Sequence, residues 1–422
     1  MKLRRKLILG AALFLSIAGA AVAFGTRPAL RYYLKSMPIY QKAIEEPLED
    51  RVSKEGFVET IGDEENKIDV LYAKGTGYEI GVQHGKLLKK KVRKNIRGVL
   101  RECYKFIEKQ SGIPRAGKMS AEEILDEAYR AMESSIPKEY KDEMRGLADS
   151  SGISIEDIHR VNAIPEITET SCSGIAALGR ATKDGNLYQV RILDYIMELG
   201  IQDRPLITVC KPDNGNAYVN IGWAGFVGVI SGMNEKGIAV SEMGYGGPGN
   251  NMPGIPKPEP AETLRGMPMP FLLKKVLQYS DNVEQANGII RSADGTNYYV
   301  FIIGDGITNG LPEARGYIKT SSSCIIYLPN DPCYPIDRLE DVVYGSHYNT
   351  RCHELLKKHF GQLTPKILMR DIIPAISMKK NLQCVVYDPK EMKFWVANAK
   401  GTDGKACDQK YTMFDFGQAV KR

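Results

Sequence analysis

The sequence predicts an α+β protein in which antiparallel sheet is covered by helices. Two observations carry this. Between residues 172 and 244, apolar alternating runs come in pairs across short Gly-containing turns, as hairpins do. The region before residue 172 instead shows helical periodicity and helix-start signals, and further helical stretches separate the later strand runs. Helices before and between antiparallel strands imply layered packing around a shared core.

In order along the chain, "KIDVLYAKG" (67–75) alternates as a strand. "GYEIGVQHGKLLKKKVRKNIRGVLRECYKFIEKQ" (77–110) reads as one long basic amphipathic helix. Ser120 with Glu123 makes a capping box for a helix reaching about residue 135. Pro137 opens another that ends near Gly146 or Gly152, and Ser154 with Asp157 starts the next. The pattern changes at Cys172. "SGIAALGR" and "LYQVRIL" flank the turn "KDGN"; "PLITVCK" and "AYVNIGW" flank "DNGN"; "FVGVISGM" and "IAVSEMG" flank "NEKG". The Gly/Pro/Asn-rich stretch 245–260 is too long for a simple turn and is expected to be a functional loop. Helices are expected at about 261–279 and 282–292, then strand "YYVFIIG", a helical block over about 335–378, and closing strands "LQCVVYDP" and "KFWVANA".

Net charge is +6, and Lys2, Arg4, Arg5 and Lys6 supply four of the positive charges. The rest of the chain is near neutral, which argues against a nucleic-acid partner. Those four residues precede an uncharged run, Leu7 to Thr26, and Ala21-Val22-Ala23 suits a cleavage site before Phe24. Residues 1–23 thus read as an export signal; residues 7–26 are also long enough to anchor the chain in a membrane. Either reading places the remainder outside the cytoplasm. Eight cysteines with irregular spacing and no Cys-x-x-Cys indicate neither zinc ribbon nor redox pair. Cys324 and Cys333 are the nearest candidates for a disulfide.

Several familiar patterns fail. "GTGYEIGVQHGK" (75–86) has Ile80 where a P-loop or dinucleotide fingerprint needs glycine, so its glycines read as a strand-to-helix corner. In "HELLKKH" the histidines stand six residues apart, which puts them on different helix faces and rules out a zinc-peptidase pair. No cofactor motif and no metal site is indicated.

Cys172 is different. A thiol needs a base or a lowered pKa to attack a carbonyl near neutral pH, and no histidine lies near it in sequence. Cleavage of the bond before it would supply one, because a free α-amine titrates near 8 and can serve its own side chain. The hairpin turn at Asp184-Gly185 could return Arg191 and Asp194 beside the thiol, one to favour thiolate and one to hold the amine.

At this point the residues resemble a known family. Cys-Ser, "GRATKDGNLY" and "RILDY" resemble the start of the catalytic chain in N-terminal-nucleophile hydrolases, most nearly the acyl-coenzyme A:6-aminopenicillanic acid acyltransferase family, with choloylglycine hydrolases and acid ceramidase more distant. "GYEIGVQHGKLL", "GVISGMNEKGIAVSEMG", "GTNYYVFIIGDG" and "LQCVVYDP" resemble further family segments in the same order, over about residues 67–400. The resemblance implies an αββα sandwich and autocatalytic cleavage between Ser171 and Cys172. It implies a helical small chain (24–171) that stays associated with a catalytic chain (172–422). Cys172 would be the nucleophile, Arg191 and Asp194 its supports, Asn297 an oxyanion donor, and Arg351 a further site arginine.

Two positions depart from the family pattern. Ser171 stands where the acyltransferase has glycine, and "SEMGYGG" offers Met243, Gly244 and Tyr245 where relatives often carry asparagine, so backbone N–H groups or Asn297 would form the oxyanion hole. The function expected is an exported cysteine amidase or acyltransferase acting through a thioester on a small N-acyl compound. An uncleaved, surface-anchored binding protein on the same fold and a ceramidase-like lipid-amide hydrolase are the alternatives.

Overall fold

A computed structural model describes residues 56–110, 119–168, 172–244, 264–307, 310–331, 339–345 and 350–422. The leader, Ser171, Cys333 and the 245–260 loop lie outside the described residues.

Two sheets form the centre. With β1 at Phe57–Ile61, β11 at Cys324–Tyr327, β14 at Lys393–Asn398, β15 at Thr412–Asp415 and the others as given below, the larger runs in the order β1-β2-β5-β6-β7-β8-β9-β10-β11 and the smaller in the order β12-β3-β4-β13-β14-β15. The strands that matter for the site are β3 (Cys172–Gly179), β4 (Gly185–Asp194), β6 (Tyr218–Trp223), β7 (Ser231–Asn234), β8 (Ile238–Gly244), β9 (Tyr299–Asp305) and β13 (Asn381–Asp388). Neighbours pair antiparallel, apart from β2 (Ile68–Gly75) with β5 (Pro205–Pro212), which run parallel. The sheets stack face to face where side chains are smallest. A Cβ on Gly174 would lie 2.6 Å from Met243 Sδ, and one on Gly304 2.3 Å from Gln189 Oε1, so a larger residue at these crossings would force those side chains to shift. Gln189, fully buried, donates across the interface to Ser241 Oγ (2.8 Å) and Ile302 O (3.2 Å). That satisfies its amide N–H groups where water cannot reach.

Helices cover both outer faces. On the larger sheet lie α1 (Gly77–Leu87), against β2, then α6 (Met269–Tyr279), against β7 and β8, and α7 (Val283–Ser292), against β9 and β10 (Glu313–Lys319). Over these pack α2 (Lys89–Gln110), α3 (Ala121–Met132), α4 (Lys138–Ser151) and α5 (Ile155–Ile167). Short helical turns between residues 365 and 376 cover the smaller sheet. The result is the expected α+β helix–sheet–sheet–helix sandwich. Its helices begin where the sequence places caps: Thr76 and Glu79 form a capping box, as do Ser120 and Glu123, while Ser154 Oγ accepts the Asp157 N–H.

Four differences from expectation have physical causes. The helix over 77–110 is two helices, broken at Leu88, whose φ of −113° and ψ of 22° leave the helical region. Gly77, Gly81 and Gly85 do more than turn a corner. A Cβ on Gly77 would lie 2.1 Å from Glu139 O and one on Gly81 2.0 Å from Glu143 O, so glycines at four-residue spacing let the α1 and α4 backbones touch. Residues 224–230 are irregular, and only Ser231–Asn234 of "FVGVISGM" pairs as strand. Strand β12 (Val342–Gly345) interrupts the expected helical block and pairs with β3, where four residues are enough to protect that edge.

Candidate active site

The β3–β4 hairpin closes as the sequence implies. Asp184 Oδ1 accepts the Asn186 N–H at 3.1 Å, and Gly185 takes φ +78°, a conformation glycine adopts freely. Register then places Cys172, the first residue of β3, opposite Leu193, with Gly174 opposite Arg191. The next strand over, β13, brings Asn381 opposite Asp194.

Arg191 is wholly buried between the sheets. Its Nε donates to Glu242 O (3.1 Å) and its Nη2 to Glu242 Oε2 (2.9 Å), whereas Nη1 is buried with no hydrogen-bond partner among the described residues. Burial raises the Glu242 carboxyl, and the Arg191 charge opposes that shift. Asp194 accepts from Asn381 Nδ2 (3.1 Å) and the Met378 N–H (3.2 Å), yet burial still lifts it to about 6. The Cys172 thiol is pushed up to about 12, first by burial and then by the negative charge of Glu242; Arg191 and the Gly244 N–H pull the other way. The thiol is therefore protonated in the uncut chain.

Cys172, Arg191, Glu242 and Gly244 line one pocket of about 810 Å³, counted to its open mouth. The remaining wall is largely apolar and includes Leu193, Leu199, Trp223, Phe226, Met269 and Tyr299. Among the described residues no histidine lines it. His84, on α1, is buried and accepts the Gly225 N–H through Nε2 at 3.1 Å. Burial holds it down to about 4, so it is neutral and already engaged.

Asn297 lies just ahead of β9, whose Tyr299 pairs with Gly244 of β8. Its Nδ2 donates to the Glu166 backbone carbonyl, to Glu166 Oε2 (3.3 Å) and to Tyr299 Oη (3.4 Å). Glu166 also accepts from the Met269 N–H (2.7 Å) and Tyr299 Oη (3.1 Å), and burial lifts it to about 7 against these bonds. Arg351 sits elsewhere. It is exposed on the helix Thr350–Lys358, 3.6 Å from Glu354, and is not among the residues lining the pocket. Cys172, Arg191 and Asp194 thus share a hairpin, Asn297 is bound to the residue six before Cys172, and Arg351 stands apart. Among the described residues no acid, histidine and cysteine cluster suits a metal.

Sequence reasoning missed Glu242, Glu166 and Tyr299. Glu242 left a trace: it is a charge inside the otherwise apolar run "IAVSEMG", a position that demands a buried partner. Glu166 left none, because its partners come from strands and helices more than a hundred residues away.

No family model matches the sequence. Among curated proteins the chain is similar to protein dcd1B of Dictyostelium discoideum, 25% identical over 391 residues, spanning 86% of this chain and 74% of that protein. It is likewise 25% identical over 380 residues to protein dcd1A of the same organism, spanning 81% of each. Among solved structures it is similar to an N-acylethanolamine-hydrolyzing acid amidase ortholog of Caenorhabditis elegans, at 14% identity, covering 58% of this chain and 99% of that one, with TM-score 0.39. A variant of conjugated bile acid hydrolase from Clostridium perfringens gives 12% identity, 58% and 93% coverage, and TM-score 0.36. Scores this low do not assign the fold; the layering described above rests on this chain's own strands and helices.

Proposed function

We propose that the protein is an exported N-terminal-nucleophile cysteine amidase, active after cleavage between Ser171 and Cys172. The observation that carries this reading is the placement of Cys172. It begins a strand, opens onto an apolar pocket beside a buried arginine, and has no imidazole among the described residues that line that pocket. A base must come from somewhere, and the α-amine freed by cleavage is the group that needs no further side chain.

In the proposed reaction the amine takes the thiol proton and Sγ attacks the amide carbonyl carbon. The C–N bond breaks, the leaving amine collects that proton, and a thioester remains on Cys172. Water then attacks the thioester carbon, losing a proton to the α-amine; the C–S bond breaks, the carboxylic acid departs, and that proton returns to Sγ. Arg191, whose buried Nη1 has no partner among the described residues, and the Gly244 N–H share the pocket with the sulfur and could hold developing negative charge. An apolar pocket wall suits an apolar acyl group, which supports an N-acyl amphiphile as substrate. Transfer of the acyl group to a second amine is the same chemistry with water replaced. Membrane association through residues 7–26 would keep the enzyme beside such substrates.

The test is amine release from N-acyl amides of short to long chain length, with wild type and Cys172→Ala. Chain-length-dependent release by wild type alone supports the reading. Equal release by the alanine variant contradicts it, and no release from a processed protein would favour a binding role.

A further inference from the structure

We infer that Asn162, His84 and Asn95 are positioning residues that hold the 224–230 segment in place as a wall of the pocket, from across the Ser171–Cys172 bond. The segment "AGFVGVI" has no polar side chain of its own and forms no strand, yet Ala224, Gly225, Val227 and Val229 are buried. Buried backbone polar groups outside regular structure require partners supplied from elsewhere. Here three come from helices that precede Cys172. Asn95 Nδ2 donates to Ala224 O at 2.7 Å, His84 Nε2 accepts the Gly225 N–H at 3.1 Å, and Asn162 Oδ1 accepts the Val227 N–H at 3.0 Å.

Each of these side chains is itself buried, and two are fixed in sense. Asn162 Nδ2 donates to Ile158 O at 2.8 Å, which turns its oxygen toward Val227. Neutral His84 can present a lone pair at Nε2. A fourth clasp is indirect: Lys274 Nζ donates to Val227 O at 3.0 Å and is ion-paired with Glu143 of α4. Fit is tight as well, since a Cβ on Gly225, at φ +95°, would lie 2.8 Å from Ile96 of α2.

What the clasp positions is substrate-facing. Phe226, Gly228 and Ile230 line the same pocket as Cys172, together with Trp223 before them and Asn162 itself. Residues after Cys172 hold the rest of the segment, with the Val229 N–H donating to Pro270 O (2.9 Å), the Glu242 N–H to Ile230 O (3.2 Å) and Asn220 Nδ2 to Gly228 O (3.1 Å). The small chain therefore does more than remain attached after cleavage, because its polar side chains complete the hold on the acyl-pocket wall at Ala224, Gly225 and Val227. The clasp stands on geometry independent of catalysis, whereas its effect on substrates rests on Cys172 acting in this pocket.

Two readouts on the purified full-length protein separate these levels. Hydrogen–deuterium exchange of Asn162→Leu and His84→Leu should show at least tenfold faster exchange in peptides covering 224–230, with β3, β4 and β13 still protected. Protection unchanged in 224–230 overturns the clasp, whatever the activity. Global loss of protection in a leucine variant shifts the decision to Asn162→Asp, which keeps an acceptor for Val227 and should exchange like wild type at 224–230; Asp exchanging as fast there as Leu also overturns it. The second readout uses N-octanoyl and N-palmitoyl aminocoumarin amides. Asn162→Leu should raise KM about tenfold for the longer chain with kcat within twofold, and Asn162→Asp should recover most of it. A fall in kcat with KM unchanged overturns the positioning role in the pocket. Wild type inactive on both amides, with the exchange result intact, refutes the amidase reading and leaves the clasp standing.

Discussion

The guanidinium of Arg191 on β4 and the carboxylate of Glu242 on β8 meet 2.9 Å apart, and each comes from a different sheet. Both are buried, so the pair is a polar rivet through the sandwich directly beside Cys172. Attraction across a dry interface offsets desolvation only while both partners are present.

Removing one partner should therefore be worse than removing both. Arg191→Leu is expected to cost about 3–5 kcal/mol of stability, because Glu242 is left buried and unpaired. Arg191→Leu with Glu242→Leu should recover part of that loss in urea denaturation. Strictly additive losses would show that the two charges are not coupled.

Glu166 gives a pH signature. Its folded-state value of about 7 lies above its ordinary 4.5. Its contribution to stability is thus fully present below about 4.5 and is lost as pH rises through about 7. A carboxyl moved that far corresponds to about 3 kcal/mol. Denaturation midpoints measured at pH 4.5 and 7.5 should differ by about that much less in Glu166→Gln than in wild type. The same pH dependence in both proteins would mean that Glu166 is not the titrating group.

The Cys172 thiol should be inert until the chain is cut. Burial and Glu242 hold it near 12 in the uncut chain, so iodoacetamide at pH 8 should leave it unlabelled. Processed protein should label at Cys172 within minutes, read by peptide mapping. Rapid labelling of uncut chains would remove the need for an α-amine base.

Asn297 and Arg351 should separate cleanly. Asn297 does not line the pocket and its amide is bound to Glu166, so an oxyanion role requires processing to release that amide; in that case Asn297→Leu lowers kcat about a hundredfold, and otherwise kcat is nearly unchanged. Arg351 is exposed and only weakly paired, so Arg351→Ala should leave kcat/KM and melting temperature nearly unchanged. A large loss of activity in Arg351→Ala would contradict its place outside the pocket.

The fold was legible wherever signals are local. Asp184-Gly185, the Asn-Gly pair at 214–215 and the turn before Gly237 each closed a hairpin at the expected place, and Ser120, Ser154 and Pro137 marked helix starts. Where the partner is distant the sequence was mute. Nothing local distinguishes irregular 224–230 from a strand, because the groups that satisfy it, among them Asn95, His84, Asn162, Asn220, Lys274 and the Pro270 carbonyl, are mostly distant in sequence. Likewise Val342–Gly345 is a strand because β3 has an edge to fill. Of the site, the hairpin half (Cys172, Arg191, Asp194) was readable from spacing and turn chemistry. The half contributed by Glu242, Glu166 and Tyr299 depends on how two sheets stack, which no periodicity encodes.

Whether the Ser171–Cys172 bond is cut decides the nucleophile, its base and the role of the helical segment together. Intact-mass spectrometry of the purified, catalytically competent protein measures it directly. The expected result is two co-purifying chains, one ending at Ser171 and one beginning at Cys172, with a single uncut chain in Cys172→Ala. A single uncut chain in active wild-type protein would contradict it.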